Sequence, residues 1–374
     1  MLLALTGCGA FFQCEGKTSC GTGSGGSTGT GDYVYVTYNV SGVNYIGGYT
    51  VGTNTLTALT DSPVQLEYAP VAMAVSANDD FLYVAAAPGT TYSGVWMYAI
   101  SSTGVISGGT QENADLIGAM TLSPDGDWLY EIDSTTGSIL SQYQLNKSTG
   151  ALTAPAASFQ TPGPGSLTLC GLSGATPNSQ TCSIAVSPAD NFVAVALNTG
   201  GTAVYPYTST GGITSTAYTL IAPPTSSGDY SLAFDSSSYL YIASTAALSS
   251  YGGTNYTTRI SNYTTYETNA FPRSVTLSTT YGYLFTANEG TSDIQEFTVS
   301  GGAVTALGTT PHVTGPTYVS ALGVDRSGTY LLAAGYNTTN GLQMFTISST
   351  GLAEVADQGT GTATTIPVVM ALTH

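Results

Sequence analysis

Apolar and polar residues alternate along most of the chain, in short runs that are separated by turn residues. Runs such as "VAMAVS", "AMTLS", "SIAVS" and "SVTLS" place an apolar residue at every second position. This is the period of a β-strand that buries one face. Ser, Pro, Asp, Asn and Gly lie between the runs, where they favour turns. No window has a convincing helical period, so the pattern predicts an all-β protein built from antiparallel strands.

The strands belong to a unit that recurs along the chain. In each unit an alternating strand leads through a polar turn to an aromatic residue, which opens a second strand such as "FLYVAA" or "YLFTAN". A more polar third strand follows, as in "VWMYAIS", "ILSQYQL" and "RISNYTT". The aromatic residues are Tyr33, Phe81, Trp128, Phe192, Tyr239, Tyr283 and Tyr330, at spacings of 48, 47, 64, 47, 44 and 47.

This period predicts a seven-bladed β-propeller of four-stranded antiparallel blades, because each unit can bury its faces only against its neighbours. The first unit lacks an inner strand before Tyr33. The C-terminal run "TIPVVMALT" is predicted to supply that strand in the first blade and so to close the ring. Ring closure removes the open sheet edge that would otherwise promote aggregation.

The propeller is predicted to cover residues 32–374, with an insertion at about 155–182 that accounts for the long fourth spacing. Residues 8–31 are rich in Cys and Gly and are interpreted as a flexible tether. The first residues, "MLLALTGC", resemble the lipobox of bacterial lipoproteins. This resemblance implies that residues 1–7 are part of a truncated export signal and that Cys8 carries the lipid. An exported protein at the bacterial surface is therefore expected.

Four further cysteines remain if Cys8 is lipidated. In an oxidising compartment an even number favours two disulfides. The simplest pairing joins Cys14 to Cys20 and Cys170 to Cys182, out of three possible connectivities. Free thiols are the alternative. Neither pair has the CxxC spacing of a metal site, and the chain has only 2 histidines, so no metal and no cofactor are expected.

Composition limits the classes of partner. Charged residues make up 7% of the chain and its formal net charge is -17. Such a surface repels nucleic acid and anionic lipid, because it cannot replace the cations around their phosphates. Contact with a membrane is therefore expected only through a lipid anchor, and no nucleic-acid partner is expected.

One pair of charged residues stands out in "FPRSVTLSTTYGYLFTANEG", residues 271–290. The repeat units resemble the blades of the lactonase-type seven-bladed propellers, the family of the bacterial 6-phosphogluconolactonase and the fungal muconate-lactonizing enzyme. Arg273 and Glu289 are similar in spacing to that family's "PRH" and "NE" motifs. The resemblance implies that the two side chains line the channel, with Glu289 as the base and Arg273 as the electrophile of a lactone hydrolase.

The chain also departs from the family pattern. Ser274 stands where the family has His after the Arg, and the middle blade reads "QTCSIAVSPADNFVAVALNTG", without a histidine. These departures favour a structural interpretation of the pair, in which Arg273 and Glu289 form a salt bridge beside the channel that stabilises the sixth blade.

A segment rich in tyrosine, "NYTTRISNYTTYET", offers Tyr256, Tyr263 and Tyr266 as contacts for a glycan or a protein partner. The alternative is an outer strand whose aromatic side chains cover the blade. Two functional hypotheses follow for the whole chain. The first is a surface-held binding or self-assembling module, with an unknown surface partner, and the second is an exported lactonase acting on a small neutral lactone.

Overall fold

The structure is a computed structural model. It describes residues 31–87, 89, 91–133, 139–153, 157–161, 182–189, 191–223, 228–245, 247–253, 255–264, 271–307, 312–361 and 368–374. Among these residues no helix has the length and apolarity needed to cross a membrane.

The regular elements of the described residues are all strands. The strands of the first three blades, in chain order, are β1 (Tyr33–Val40), β2 (Val43–Gly52), β3 (Thr55–Ala58), β4 (Val64–Leu66), β5 (Pro70–Val75), β6 (Phe81–Ala86), β7 (Gly94–Ile100), β8 (Ile106–Gln111), β9 (Ile117–Leu122), β10 (Trp128–Asp133), β11 (Ile139–Gln144) and β12 (Ala157–Gln160). The fourth and fifth blades comprise β13 (Cys182–Val186), β14 (Phe192–Leu197), β15 (Thr202–Thr208), β16 (Gly212–Ile213), β17 (Thr219–Ile221), β18 (Asp229–Phe234), β19 (Leu240–Ser244), β20 (Leu248–Gly252) and β21 (Thr258–Tyr263). The remaining strands are β22 (Pro272–Ser278), β23 (Tyr283–Asn288), β24 (Asp293–Ser300), β25 (Ala303–Ala306), β26 (His312–Thr314), β27 (Thr317–Val324), β28 (Tyr330–Tyr336), β29 (Leu342–Ser348), β30 (Gly351–Gln358) and β31 (Met370–Leu372).

The strands form seven antiparallel sheets around a central channel, which confirms the predicted propeller. Each sheet has a run of four consecutively paired strands, and an additional short strand extends the first, fourth and sixth blades. The innermost strands are β31, β5, β9, β13, β18, β22 and β27, and each of them contacts the next around the ring.

The two ends of the propeller meet in the first blade, as predicted. Strand β31 pairs antiparallel with β1, with Leu372 opposite Val34. Beyond the ladder, the backbone amide of Tyr33 donates to Thr373 Oγ1 at 2.8 Å, and the amide of Thr373 donates to the carbonyl of Tyr33 at 3.0 Å. The C-terminal strand therefore supplies the inner strand that the first repeat lacks.

The repeated aromatic residue marks the start of the second strand in every blade, with β19 beginning one residue after Tyr239. A polar side chain in the preceding turn fixes this geometry. The amide of Phe81 donates to Ser76 Oγ at 3.0 Å, and the amide of Trp128 donates to Ser123 Oγ at 2.9 Å. Ser and Asp recur in these turns because an oxygen is needed there to accept the backbone amide.

Blade 5 differs from the predicted strand order. The segment "RISNY" was predicted to be the third strand, but it lies in β21, the fourth and outermost one, and the third strand is β20. The polar residues of β20 hide its strand pattern in the sequence. Ser249 and Ser250 are buried there, where they donate to Asn262 Oδ1 at 2.7 Å and to the carbonyl of Gly302 at 2.5 Å.

Among the described residues the core consists of seven apolar clusters, one between each pair of neighbouring blades. Hydrogen bonds join the blades across these clusters. The hydroxyl of Tyr35 in blade 1 donates to the carbonyl of Gly104 in blade 2 at 2.7 Å. Tyr83 in blade 2 makes the same contact with Gly150 in blade 3 at 2.6 Å. Packing and hydrogen bonding therefore hold the inner strands in one ring around the channel.

Candidate functional site

Arg273 and Glu289 are brought together by a bulge in blade 6. The pairing of β22 with β23 places Pro272 opposite Asn288, and the register shifts between Pro272 and Ser274. Bulges of this kind redirect a side chain away from the regular alternation. Arg273 is therefore the second residue of the innermost strand β22, while Glu289 follows the adjacent strand β23 at the same end of the blade.

The two side chains form a buried ion pair. Arg273 Nε lies 2.7 Å from Glu289 Oε2, and the side chains are only 7% and 1% exposed. The guanidinium of Arg273 also lies over the ring of Tyr230, with its Cζ 4.9 Å from the ring centroid. A cation in this position is attracted by the ring face. The pair and the ring form one charged and aromatic group at the start of the inner strands.

Burial also changes the protonation of Glu289. Loss of hydration raises the pKa of its carboxyl, and the charge and hydrogen bond of Arg273 oppose that effect without cancelling it. Desolvation disfavours the charged form of an acid, whereas a neighbouring cation favours it. The pKa of Glu289 is therefore above the usual glutamate range, in the direction that makes a carboxylate a better base.

The ion pair faces a cavity of about 220 Å³ in the channel. Apolar side chains from the innermost strands of several blades form the larger part of the wall, and the hydroxyl side chains of Thr121, Ser183 and Ser320 lie among them. The lining side chains include Met73, Met120, Ile184, Leu322 and Met370. Arg273 and Ser274 also line an adjoining cavity of about 140 Å³ further round the ring. An apolar pocket with a few convergent polar groups is typical of a small-molecule site.

His374 lines the same cavity, which the sequence analysis did not predict. It follows β31, so it lies at the opposite end of the inner strands from Arg273. Its Nδ1 is 3.2 Å from Asp79 Oδ1, and its amide donates to the same oxygen at 2.8 Å. Arg326 forms an ion pair with the other oxygen of Asp79. The predicted pairing of the C-terminal strand with Tyr33 was the signal that could have placed His374 at the channel.

The predicted cysteine sites fall mainly outside the part of the chain that the structure describes. Cys8, Cys14, Cys20 and Cys170 all lie there. Cys182 is buried at the start of β13 and belongs to the lining of the channel cavity. Both predicted disulfide pairings and the lipid on Cys8 stay predictions.

The tyrosine segment differs from the predicted binding surface. Tyr256 is only 1% exposed, and its ring packs edge-on against Phe192 and Phe234 at 4.9 and 5.7 Å between centroids. Its hydroxyl donates to the carbonyl of Ser238 at 2.6 Å. Tyr256 therefore packs between blades 4 and 5, in keeping with the alternative in which these aromatic side chains cover a blade, and partner binding by the segment stays a prediction. Tyr263 is half-buried against Phe297, and Tyr266 lies outside the described residues.

Aspartates in the repeated turns accept hydrogen bonds from nearby protein groups. Asp125 accepts from the amide of Asp127 at 3.0 Å and from the hydroxyl of Tyr207 at 2.7 Å. In the described part of the chain, no three His, Cys, Asp or Glu residues are grouped as metal ligands.

Comparisons with known proteins support the architecture. No family model matches the chain, and no curated protein matches it. Solved structures match the chain over most of its length. A candidate 6-phosphogluconolactonase from Bacteroides fragilis is 16% identical with a TM-score of 0.69, over 94% of this chain and 100% of that one. The periplasmic gluconolactonase of Pseudomonas aeruginosa is 14% identical with a TM-score of 0.65, over 92% of this chain and 99% of that one. At these identities the comparison shows a shared lactonase-like propeller fold.

Proposed function

We propose that this protein is a ligand-binding propeller, and that its site is the channel cavity beside Arg273 and Glu289. The observation that carries the proposal is a buried ion pair that faces a cavity in the channel. Burying two charges is costly, and a hydrophobic pair is often at least as stable. A pair placed at a cavity is therefore better explained by a ligand than by stability alone.

Two features favour binding over turnover. Glu289 Oε2 accepts from Arg273 Nε at 2.7 Å, so the proposed base and the proposed electrophile are bonded to each other. Hydrolysis needs the base directed at a water and the cation directed at the developing oxyanion. The neighbouring Ser274, which stands in place of the family's histidine, is held structurally, because its Oγ accepts from the amide of Leu322 at 3.2 Å.

Hydrolysis of a neutral lactone is the second candidate. The raised pKa of Glu289 favours it, since a base is most effective when its pKa approaches the working pH. In this alternative Glu289 activates a water, which attacks the lactone carbonyl. Arg273 holds the carbonyl oxygen as it becomes negative, and the ring opens to a hydroxy acid.

Release of acid from neutral lactones, measured by pH-stat with the full chain, separates the two candidates. Binding of the same lactones is measured by titration calorimetry. We expect lactone binding that Arg273→Gln weakens, with no turnover above the uncatalysed rate. Turnover that is abolished by Glu289→Gln, and retained in the control Glu296→Gln, would replace the binding proposal with hydrolysis. Glu296 is a suitable control because it is a buried glutamate of the same blade that contacts Leu352 instead of the cavity.

Location and assembly are part of the same proposal. Lipidation of Cys8 would anchor the chain, and the tether of residues 8–31 would hold the propeller away from the surface. Two routes of self-association are proposed: N-terminal residues that pair with a neighbouring chain, and disulfides of Cys14 and Cys20 that bridge two chains. Lipid on Cys8 is tested by mass spectrometry of the protein from membranes. Size-exclusion chromatography with Cys14→Ser and Cys20→Ser tests the assembly, and a monomer before and after these changes would reject it.

A further inference from the structure

The residue that precedes Pro272 has an unusual backbone conformation. Phe271 has a φ of +47°, in the left-handed region. A bulky residue is rarely found there, because its Cβ comes too close to the following carbonyl oxygen. The proline that follows restricts this residue further. Glycine would adopt the conformation without strain, so contacts of the ring or the backbone of Phe271 must maintain it.

Two contacts hold Phe271 in place, and both lead to the ion pair. Its carbonyl accepts from the amide of Glu289 at 3.1 Å. Its ring meets the ring of Tyr230 edge to face, with 6.4 Å between the centroids and 89° between the planes. Aromatic pairs favour this geometry. The strained backbone is therefore joined to Glu289 on one side, and on the other to the ring against which Arg273 lies.

These contacts form a closed loop that includes Arg273. From Phe271 the loop passes to the ring of Tyr230 and then to the guanidinium, whose Cζ lies 4.9 Å from the centroid of that ring. It continues to the carboxylate of Glu289 at 2.7 Å and returns through the amide of Glu289 to the carbonyl of Phe271. Tyr230, Arg273 and Glu289 line the channel cavity, whereas Phe271 lies behind its described lining. Phe271 therefore acts on the cavity through its neighbours.

An arginine that binds a ligand in one orientation needs support of this kind. Its side chain is long and loses much rotamer freedom when it is fixed. Fixing the guanidinium before the ligand arrives removes that loss from the free energy of binding. The bulge at Arg273 sets the direction in which the side chain leaves the strand. The contact with Tyr230 then sets where its charged end lies.

We propose that Phe271 is a positioning residue of the channel site: its ring holds Tyr230, and Tyr230 holds the guanidinium of Arg273 at the cavity. This inference rests on the proposed function and adds the residue that prepares the site for its ligand. A strained backbone that the surrounding contacts maintain is typical of binding sites.

The position of the guanidinium can be measured without a ligand. The chain has three arginines, Arg259, Arg273 and Arg326, so Arg273→Gln identifies the Nε–H signal of Arg273 in a proton–nitrogen correlation NMR spectrum. Phe271→Leu keeps an apolar side chain but removes the ring. We expect it to speed the exchange of this proton with water by about 2- to 10-fold, as for the loss of one aromatic pair. Phe81→Leu, at another half-buried phenylalanine outside the cavity lining, is the matched control and should not change the rate.

Binding of δ-octalactone to the full chain, measured by titration calorimetry, tests the same link with a ligand. Phe271→Leu should weaken binding by about 2- to 10-fold. It should have no further effect in the Arg273→Gln background, because it acts through that arginine. Tyr230→Leu should speed the proton exchange as Phe271→Leu does. Tyr230→Phe should keep the wild-type exchange rate, since the ring face remains.

Two further variants test the strain. Phe271→Ala and Phe271→Gly both remove the ring, but only glycine adopts the left-handed conformation without strain. Phe271→Gly should therefore have the higher melting temperature of the two. An equal or higher melting temperature for Phe271→Ala would contradict the strained backbone. Circular dichroism confirms that every variant is folded.

The outcomes are distinguishable. An exchange rate that Phe271→Leu leaves unchanged would overturn the inference, whatever the lactone does. Lactone binding that depends on Arg273 but is unaffected by Phe271→Leu, or losses that add in the double variant, would also overturn it and leave the proposed function standing. If no lactone binds, or if binding is indifferent to Arg273→Gln, the proposed function is rejected, and the exchange rate alone decides whether Phe271 positions Arg273.

Discussion

Arg273 and Glu289 form an ion pair at the wall of the channel, with 2.7 Å between Arg273 Nε and Glu289 Oε2, and both side chains are almost completely buried. They lie where the paired strands β22 and β23 of blade 6 meet the end opposite their connecting turn. Their positions follow from the pairing of Pro272 with Asn288 and from the bulge at Arg273. The pair is therefore built into the fold, and its energetics can be measured separately from binding.

The contributions of Arg273 and Glu289 to the free energy of unfolding should be strongly coupled. Removing one partner leaves the other charge buried, which typically costs about 3–5 kcal/mol. We therefore expect Arg273→Met and Glu289→Leu each to lower the free energy of unfolding, and the double variant to be more stable than either. Urea denaturation of the three variants completes a double-mutant cycle. Additive losses would mean that the two side chains do not stabilise each other.

The blade 2 and blade 3 interface should weaken as the pH rises. Glu131 accepts from Asn113 Nδ2 at 3.1 Å and from the hydroxyl of Tyr143 at 3.0 Å. Burial, together with the nearby carboxyl of Asp115, raises the pKa of Glu131 to about 8 from 4.5. The folded protein therefore keeps a proton that the unfolded chain loses. The contribution of this proton to the free energy of unfolding is complete below about pH 4.5 and is lost as the pH rises through about 8.

Other buried carboxyls act in the same direction. Burial raises the pKa of Glu296 to about 7 and that of Asp229 to about 6. We expect the urea midpoint to fall between pH 5 and pH 8.5, and Glu131→Gln to make this fall smaller. Glu354→Gln on the exposed face of β30 is the control. A midpoint that rises over this range would contradict the assigned protonation of these groups.

Gly150 should tolerate no side chain. Its φ is +73°, and a Cβ would lie 2.3 Å from Met97 Sδ and 2.7 Å from the ring of Phe81. Gly150→Ala combines a left-handed backbone with overpacking, and we expect a loss of about 2–4 kcal/mol in the free energy of unfolding. Gly42→Ala is the matched control, because its φ is +87° with nothing within 4 Å. Equal losses in the two variants would show that packing at Gly150 contributes nothing.

The hydroxyl of Tyr83 should contribute to joining blades 2 and 3. It donates to the carbonyl of Gly150 at 2.6 Å in the buried interface. Tyr83→Phe leaves that carbonyl without the hydroxyl, so we expect a loss of about 1–2 kcal/mol. Tyr281→Phe, at an exposed tyrosine, is the control for the substitution itself. Thermal unfolding compares the two, and equal midpoints would contradict the role of this hydrogen bond.

The fold could be predicted from the sequence because the residues that form each turn lie within the repeat unit itself. Ser76 and Ser123 accept from the amides of Phe81 and Trp128, so the serine and the aromatic residue keep a fixed spacing in each of these units. Blade 5 was harder, since buried serines in β20 satisfy their hydroxyls through contacts distant in sequence. A local pattern cannot reveal such partners.

The candidate site was predictable in part. The spacing of Arg273 and Glu289 identified the pair, but sequence alone left its environment open. Neither the lining of the cavity nor the position of His374 could be predicted from a local sequence pattern, because the lining residues come from several blades. The burial of Tyr256 could not be predicted for a related reason: its ring fills a space between Phe192 and Phe234 that only the assembled propeller creates.

The central claim is that the channel cavity at Arg273 and Glu289 binds the ligand. Titration calorimetry of δ-octalactone against the wild type, Arg273→Gln and Arg259→Gln tests it most directly, since Arg259 is an exposed arginine on β21, outside the cavity lining. A hydrogen bond to a charged group is worth about 1.5–3 kcal/mol, so we expect Arg273→Gln to weaken binding by about 10- to 100-fold. Arg259→Gln should bind as the wild type does. Equal affinities for all three proteins would contradict the account.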